Sequence, residues 1–438
     1  MVTGFSVEQL AGLLRRCLAV FALALIAVTY KLWFVSTTAE YPQIPWFEFL
    51  ADGSFTLAES RRIDWLLTCL LLASLILATV TQRLRRTIDC IAMVTAILLV
   101  SLDQQRLQPW MYQLMIALLV FTLAEDYWIV RFLRWLVISI YGYSALGKLD
   151  TQFIHTVGRE FLDALLGIVG LSSQGWHAWA VFAAVLLFPV CELALAICLA
   201  WQTTRRAAAL AACVFHTVLI VLFSPAVLGH SWGVLVWNAQ FLVQAIVLFF
   251  LPVHSNDVPK PDQSRTLQFK STALGNYLTV GILGCVMILP LSERWAIWDH
   301  WPSWALYAPH TSRTEIQVAR TVVDRLPSSL RQWSAEPPSE QAGELNSADL
   351  WANVPIDRWC LEQSGTPMYP QSRVGIGVAR WLAAYVDSEF EIRVQVRGPA
   401  GRFTGQREIR YFQGRAEIDS ASDLYWCNTT PRPIDSSR

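Results

Sequence analysis

The amino-acid sequence predicts an all-α polytopic membrane bundle of about nine transmembrane helices, followed by a small extracytoplasmic α+β domain. Two observations predict the bundle: 54% of the 438 residues are hydrophobic, and only 16% are charged. Ordinary soluble domains contain about 45–50% apolar and about 25% charged residues. A third observation predicts the second domain, because turn residues, charges and alternating apolar residues return near the C-terminal end of the chain.

Windows of about 17–25 mainly apolar residues mark candidate spans, because that length crosses a hydrocarbon core of about 30 Å. They lie at about 17–35, 64–81, 88–103, 110–124, 129–148, 177–201, 207–223, 233–251 and 271–291. The windows at 88–103 and 110–124 are short, so they predict either two crossings or a tight, re-entrant pair. We therefore assign residues 1–291 to a transmembrane domain and residues 292–438 to an extracytoplasmic one.

The distribution of Lys and Arg predicts the orientation, because short cytoplasmic loops are enriched in them. With a cytoplasmic N-terminus, the basic residues on the inner side are Arg15, Arg16, Arg83, Arg85, Arg86, Arg131, Arg134, Arg205, Arg206, Lys260, Arg265 and Lys270. Arg61 and Arg62 fall on the outer side and oppose the rule. An odd number of spans places the chain after Ser292 outside. We expect an integral protein of the bacterial inner membrane.

The C-terminal region has its own pattern. A linker rich in Pro, Ser and Glu is predicted near 336–353, and "GVARWLAAYVD" (377–387) is predicted to be a helix. "EFEIRVQVR" (389–397) alternates apolar with polar residues, which is typical of a half-buried strand. "QREIRYFQGRAEI" (406–418) is predicted to be a second strand, paired with the first through the turn "GPAGRFTG".

Seven of the nine cysteines lie in or beside predicted spans, where they are expected to be small packing residues. The other two, Cys360 and Cys427, lie in the C-terminal region. Because that region is predicted to be extracytoplasmic, we predict a disulfide between Cys360 and Cys427.

Ionisable and polar residues at membrane depth are the candidate functional residues, since burying them there is costly. A lysine at a span end can be an interfacial anchor, and a histidine in a span can simply bridge two helices. A carboxylate at depth needs a partner or a proton, and a Lys–Glu or His–Glu contact would supply one and also form a proton relay. The residues in question are Lys148, Glu192, His216, Asn238 and Gln244, with His230 in the turn before the eighth span.

Several function classes lack their motifs. The formal net charge is zero, so no bulk field indicates nucleic acid as a partner. The sequence contains no Walker loop, no G-x-G-x-x-G and no C-x-x-C pair, and no metal site is predicted.

Two stretches carry a resemblance to a known family. "YGYSALGKLD" (141–150), followed by an amphipathic stretch with "GREFL", resembles the segment around the active-site lysine of vitamin K-dependent gamma-carboxylases. "LFPVCELALAICLAWQTTRRAAALAACVFHTVLIVLF" (187–223) is similar to the next two spans of that family through Glu192, the turn at Thr204–Arg206 and the pair Phe215–His216. The chain thus resembles the HTTM (horizontally transferred transmembrane domain) superfamily over about 125–250. It has Gly147 where a carboxylase carries a second lysine.

The resemblance implies a reaction in which oxidation of a reduced quinone by oxygen generates a strong base, so that CO2 can add to an acceptor. Reduced vitamin K or menaquinol would be the cofactor. Lys148 would deprotonate the hydroquinone, with Glu192 and His216 as further catalytic residues and His216 polarising a quinone oxygen. Asn238, His230 and Tyr143 would bind the cofactor.

The sequence is compatible with three hypotheses on function. The first is a quinol-dependent membrane oxidoreductase or carboxylase with Lys148 as base. The second is a non-enzymatic membrane scaffold similar to DoxX and MauE-like proteins, which supports a membrane or extracytoplasmic partner of a redox system. The third is a transporter or lipid-binding bundle in which Glu192 and His216 titrate. In each case the lipid bilayer is a partner and nucleic acid is not.

Overall fold

The structure is a computed structural model that describes residues 4–36, 39–51, 57–252, 272–334 and 350–432. The chain forms two compact units. The bundle unit comprises Met1–Val28, Cys69–Ala96 and Pro109–Pro309, and the sheet unit comprises Thr29–Thr68, Ile97–Gln108 and His310–Arg438. The predicted division at residue 291 therefore differs from the observed one. Two loops between apolar helices belong to the sheet unit, and residues 292–309 belong to the bundle unit.

Helices dominate the first 290 residues because their sequences are long apolar runs. In chain order they are α1 (Val7–Val28), α2 (Tyr30–Trp33), α3 (Leu57–Val80), α4 (Arg85–Leu102), α5 (Pro109–Leu123), α6 (Asp126–Lys148), α7 (Thr151–His155), α8 (Val157–Ile168), α9 (Ala178–Ala200), α10 (Arg205–Leu222), α11 (Trp232–Ala245) and α12 (Thr272–Ile288). A π-helical turn, Ile246–Phe250, continues α11, and a 3-10 turn, Leu289–Trp295, follows α12.

Among the described residues, seven helices are long and apolar enough to cross a membrane. They are α1, α3, α6, α9, α10, α11 with its π-helical turn, and α12 with the turn that follows it. The predicted spans at 88–103 and 110–124 coincide with α4 and α5, which do not belong to this set. Arg85, Arg86 and Asp89 lie in the first turns of α4, and α5 has only 15 residues. The prediction of an apolar helical bundle is thus confirmed, with seven candidate spans.

Packing inside the bundle unit brings α6 against α9 and α10 against α11, with α1 beside both α6 and α11. An apolar cluster lies where α7 and α8 meet α9 and the end of α10. Its buried members are Phe153, Phe161, Leu162, Val185, Leu222, Phe223 and Leu235. The stretch after Lys148, which alternates apolar and charged residues at helical spacing, thus buries its apolar face as α8.

The sheet unit contains a four-stranded antiparallel sheet with the strand order β2-β1-β3-β4. The strands are β1 (Arg313–Ala319), β2 (Trp351–Val354), β3 (Ile392–Arg397) and β4 (Ile409–Gln413). The predicted strand 389–397 is confirmed from Ile392 onward as β3, in which Ile392, Val394 and Val396 are buried and alternate with more accessible residues. Residues 389–391 precede the strand, and Phe390 is exposed. It pairs with β4, as predicted.

Four further helices belong to the sheet unit: α13 (Ser328–Ser334), α14 (Ile356–Ser364), α15 (Ser372–Leu382) and α16 (Gly414–Ser420). The predicted helix at 377–387 overlaps the second half of α15. The predicted strand at 406–418 is wrong beyond Gln413, because Gly414 adopts a positive φ of 74° and α16 begins there. Most of the predicted linker at 336–353 lies outside the described residues, and its last residues belong to β2.

Cys360 and Cys427 are not joined by a disulfide, so that prediction is wrong for this structure. Cys360 lies on α14 and is fully buried, with its Sγ 3.5 Å from Ser364 Oγ. Burial raises the pKa of the Cys360 thiol to about 12. The pairing was predicted from compartment alone, and a packed helix face holds Cys360 instead.

Candidate functional site

Lys148 and Glu192 form an ion pair between the C-terminal end of α6 and the middle of α9. Lys148 Nζ donates to Glu192 Oε2 at 2.6 Å and to Ser144 Oγ at 2.6 Å. Both residues are buried, at 7% and 6% exposure. Of the two partners that the sequence allowed for Glu192, lysine and histidine, the structure has the lysine. Each charged group thus has an opposite charge as its partner in a buried position.

The helical spacing of α6 explains how its polar side chains come to share one face. Tyr141, Ser144 and Lys148 follow an i, i+3, i+7 pattern, which places them on one stripe of the helix. In α9, Pro189 lies three residues before Glu192 and is buried. A proline inside a helix cannot donate to the carbonyl four residues earlier, here that of Val185. The helix therefore lacks one backbone hydrogen bond next to the turn that carries the carboxylate.

His216 is held by two side chains on different helices. Its Nε2 lies 2.5 Å from the hydroxyl oxygen of Tyr141 on α6, and its Nδ1 lies 2.9 Å from Oδ1 of Asn238 on α11. Asn238 Nδ2 in turn donates to the Val234 carbonyl at 2.8 Å. Because Oδ1 can only accept, Nδ1 carries the proton and Nε2 accepts from Tyr141. The imidazole is neutral in this arrangement, and it stacks on Phe241 with ring centroids 5.1 Å apart.

Both groups of residues contact α6, one through Lys148 and the other through Tyr141. Tyr141 precedes Lys148 by two turns of α6, which is about 10 Å along the helix axis. Two polar centres therefore line one stripe of α6, the Lys148–Glu192 pair near its end and the Tyr141–His216–Asn238 chain further inside.

Tyr143 and His230, both predicted to bind a cofactor, lie elsewhere. Tyr143 is five residues before Lys148, about 140° around the helix, and its hydroxyl donates to the Met287 carbonyl of α12. His230 packs edge-on against Phe223, with ring centroids 4.7 Å apart, and against Tyr307 at 5.5 Å. Burial lowers the pKa of the His230 imidazole, and nearby Glu160 opposes that shift. Neither residue contacts Lys148 or His216, and their roles toward a cofactor stay predictions.

A third polar cluster connects α5 with α11. Gln113 Oε1 accepts from Trp237 Nε1 and from Gln240 Nε2, each at 2.9 Å, and Gln113 Nε2 donates to Gln244 Oε1 at 3.1 Å. All four side chains are buried. Such amide networks join helices in apolar surroundings, since each polar group is satisfied by another. Gln244 was singled out from the sequence as a polar residue at depth, and the structure gives it a structural partner.

Beyond Lys148 the chain continues into a second ion pair. Arg294 Nη1 donates to Asp150 Oδ2 at 2.8 Å. Asp150 also caps the start of α7, because its Oδ1 accepts from the backbone N–H of Gln152 at 2.7 Å. Gly147 lies under the segment after α12, because a Cβ at this position would be 3.3 Å from Ala305 Cα. This segment thus packs directly on the end of α6.

The sequence identified Lys148, Glu192, His216 and Asn238 but missed Tyr141, Ser144 and Gln113. Helical spacing contains the signal for two of these, since Ser144 and Tyr141 precede Lys148 by four and seven residues. Gln113 has no comparable signal in α5. Comparisons of the chain with protein-family models, curated proteins and solved structures find no match.

Proposed function

We propose that the protein is a membrane enzyme that oxidises a reduced quinone with molecular oxygen as the electron acceptor and Lys148 as the base, and that it is a member of the HTTM superfamily related to gamma-carboxylases. One observation carries this proposal: a lysine and a glutamate, both buried, share a 2.6 Å hydrogen bond at the end of α6. Ionisable residues buried inside transmembrane helices are rare and mark candidate functional sites.

The donor set at Lys148 suits a quinol hydroxyl, because an amine nitrogen, a carboxylate and a hydroxyl lie together there. A bound quinol would supply a hydroxyl proton and two electrons. A lysine must be neutral to accept a proton, and Glu192 provides the means, because one proton can move from Nζ to Oε2 across the 2.6 Å contact. That transfer leaves an amine at Lys148 and a carboxylic acid at Glu192. Ser144 Oγ fixes the direction of Nζ from within the same helix.

His216 fits its predicted role less directly. Both of its ring nitrogens already have partners, Tyr141 on one side and Asn238 on the other. For His216 Nε2 to contact a quinone oxygen, its hydrogen bond with the Tyr141 hydroxyl has to break. We therefore assign His216, Tyr141 and Asn238 to the wall of the site, where they position one another.

We also propose a topology of nine crossings with a cytoplasmic N-terminus, in the bacterial inner membrane. The segments that make up the sheet unit support this topology. Residues 29–68, 97–108 and 310–438 belong to this one unit, and all three segments fall on the outer side when α4 and α5 are counted as crossings. Counting α4 and α5 as a re-entrant pair leaves an odd number of crossings and the same two sides for the termini.

The second candidate function is a non-enzymatic scaffold that supports a membrane or extracytoplasmic redox partner. The observation that favours it is that these polar side chains already have partners within the protein: Lys148 is paired with Glu192, and His216 has two partners. Such a network can join α6, α9, α10 and α11 without any chemistry. The two candidates differ in whether the lysine is needed for turnover or only for stability.

Oxidation of menaquinol and of reduced vitamin K by the purified full-length protein in nanodiscs tests the proposal. We expect wild type to oxidise one of them, Lys148→Ala to lose this activity, and Lys31→Ala to retain it. Lys31 is a matched control because it is exposed and its Nζ donates to the Glu362 carbonyl. Absence of oxidation by folded wild-type protein would reject the enzyme and favour the scaffold, whereas equal oxidation by Lys148→Ala would reject Lys148 as the base.

A further inference from the structure

A cavity of about 300 Å³ lies in the bundle unit where α6 and α10 begin and α9 ends. Three arginines line it: Arg131 and Arg134 from α6, and Arg205 from the first residue of α10. Among the described residues that line the cavity, none is acidic. Asp126, at the start of α6, is paired with Arg85 at 2.7 Å. The cavity thus concentrates positive charge.

The contacts of the three arginines fix their positions but do not neutralise their positive charges. Arg134 Nε donates to the Leu248 carbonyl at 2.5 Å, and that carbonyl belongs to the π-helical turn after α11. Arg205 caps the end of α9 through the carbonyls of Leu199 and Ala200, each at 3.1 Å. The Arg131 guanidinium lies 5.3 Å from the ring centroid of Trp128. Carbonyls and aromatic faces are neutral partners. Since each guanidinium has five N–H donors, several remain for an anion.

The surroundings of the cavity suit a lipid. Tyr127 and Trp135 also line it, and tyrosine and tryptophan are the residues enriched where a helix meets the membrane surface. Trp135 is 42% exposed, and Ile197 and Trp201 near the end of α9 are 51% and 65% exposed. These apolar surfaces can contact acyl chains, while the arginines contact a headgroup. Basic pockets between transmembrane helices are a known form of anionic lipid site.

We propose that this arginine cavity binds the phosphate of an anionic phospholipid headgroup. The arginines bond the phosphate oxygens through paired N–H donors, the geometry that guanidinium groups favour for phosphate. The lipid would fasten the ends of α6, α9 and α10 together. This inference uses none of the residues of the proposed quinol site and is independent of that function.

Lipid retention by the full-length protein tests the inference. The protein is delipidated in detergent, incubated with dioleoylphosphatidylglycerol or dioleoylphosphatidylcholine, and weighed intact by native mass spectrometry. We expect retention of phosphatidylglycerol over phosphatidylcholine. Removing one arginine should weaken phosphatidylglycerol binding about fivefold, because an arginine near a lipid surface contributes about 1 kcal/mol.

Two variants and one control separate binding from folding. Arg131→Gln is the primary variant, since Arg131 is exposed and makes no backbone hydrogen bond that α9 or α11 needs. Arg205→Gln removes the cap of α9 as well, so its thermal unfolding is measured in parallel. Arg16→Gln is the matched control, because Arg16 is an exposed arginine that does not line this cavity.

Weaker phosphatidylglycerol binding by Arg131→Gln at unchanged thermal stability, with Arg16→Gln equal to wild type, supports the proposal. Equal retention of the two lipids, or equal effects of Arg131→Gln and Arg16→Gln, overturns it. Inorganic phosphate serves as the competing ligand. If it binds through Arg131 while the protein shows no preference for phosphatidylglycerol, the ligand is free phosphate, and the lipid assignment is overturned.

Discussion

Lys148 Nζ and Glu192 Oε2 lie 2.6 Å apart, and the two residues are separated by 44 positions in the sequence. Each is at least nine-tenths buried. The contact joins α6 to α9, helices that pack against each other over much of their length. A buried charge is tolerated only with its partner, so this pair makes each residue dependent on the other.

Replacing one member of the pair should therefore destabilise the bundle more than replacing both. We expect Lys148→Met or Glu192→Leu alone to lower the free energy of unfolding by about 3–5 kcal/mol, because each leaves an uncompensated buried charge. The double variant should recover most of this loss. Chemical unfolding in detergent, followed by tryptophan fluorescence, measures the cycle. Additive losses in the double variant would contradict the pairing.

The same double variant separates stability from chemistry. If Lys148 is a base, the double variant should be folded but unable to oxidise a quinol. If the pair is only a structural connection, every function of the protein should survive the double replacement. Partner binding or quinol oxidation, compared at equal stability, distinguishes these results.

The Tyr141 hydroxyl should matter more than the Tyr143 hydroxyl, although the two tyrosines are two positions apart. Tyr141→Phe leaves the buried Nε2 of His216 without its donor, a loss of about 1–3 kcal/mol. Tyr143→Phe removes only a bond to the Met287 carbonyl at a half-buried position, so we expect a smaller loss. Nitrogen-15 NMR of the His216 ring should register the first substitution and not the second. Equal effects would contradict the assigned contacts.

Most of the candidate site could be identified from the sequence as residue types but not as contacts. Lys148, Glu192 and His216 stand out because ionisable residues are rare in apolar spans. Which of them meet depends on the order of helices in the bundle, and residue spacing within one helix does not contain that order. The structure pairs Lys148 with Glu192, whereas His216 bonds to Tyr141 and Asn238 instead.

In the fold, too, features that depend on local sequence were predictable and features that depend on distant contacts were not. Apolar windows predicted the helices that can cross a membrane, since length and composition are local properties. Strand β3 was predicted from its alternation, but β1 and β2 were not. The segment of β2 is four residues long, and β1 pairs with both β2 and β3, so its identity depends on distant partners. The strand at 406–418 was predicted too long because a glycine turn at Gly414 ends the extended backbone.

Cys360 should react slowly with thiol reagents in the folded protein. Its side chain is fully buried, and its pKa is raised to about 12, so the thiolate that reacts is scarce at neutral pH. At both pH 7 and pH 9, Cys360 should be labelled far more slowly than a Cys360 peptide in denaturant, because an exposed thiol has a pKa of about 8.5. Intact mass under non-reducing conditions gives the control, because a Cys360–Cys427 disulfide would lower the mass by about two hydrogens.

Gly147 should tolerate a larger side chain poorly. A Cβ at residue 147 would lie 3.3 Å from Ala305 Cα and 3.4 Å from Ala308 Cβ, so the packed segment after α12 has to shift. We expect Gly147→Lys to cost about 1–3 kcal/mol or more through overpacking, and Gly147→Ala to cost less. Gly142→Ala is the matched control on the same helix, because a Cβ there meets nothing within 4 Å. Its higher helix propensity should raise stability by up to about 1 kcal/mol.

Thermal unfolding of these three variants in detergent measures the order of stability. Gly142→Ala should unfold above wild type, Gly147→Ala slightly below it, and Gly147→Lys well below it. A Gly147→Lys protein as stable as wild type would mean that residues 305–308 do not pack on α6 as described.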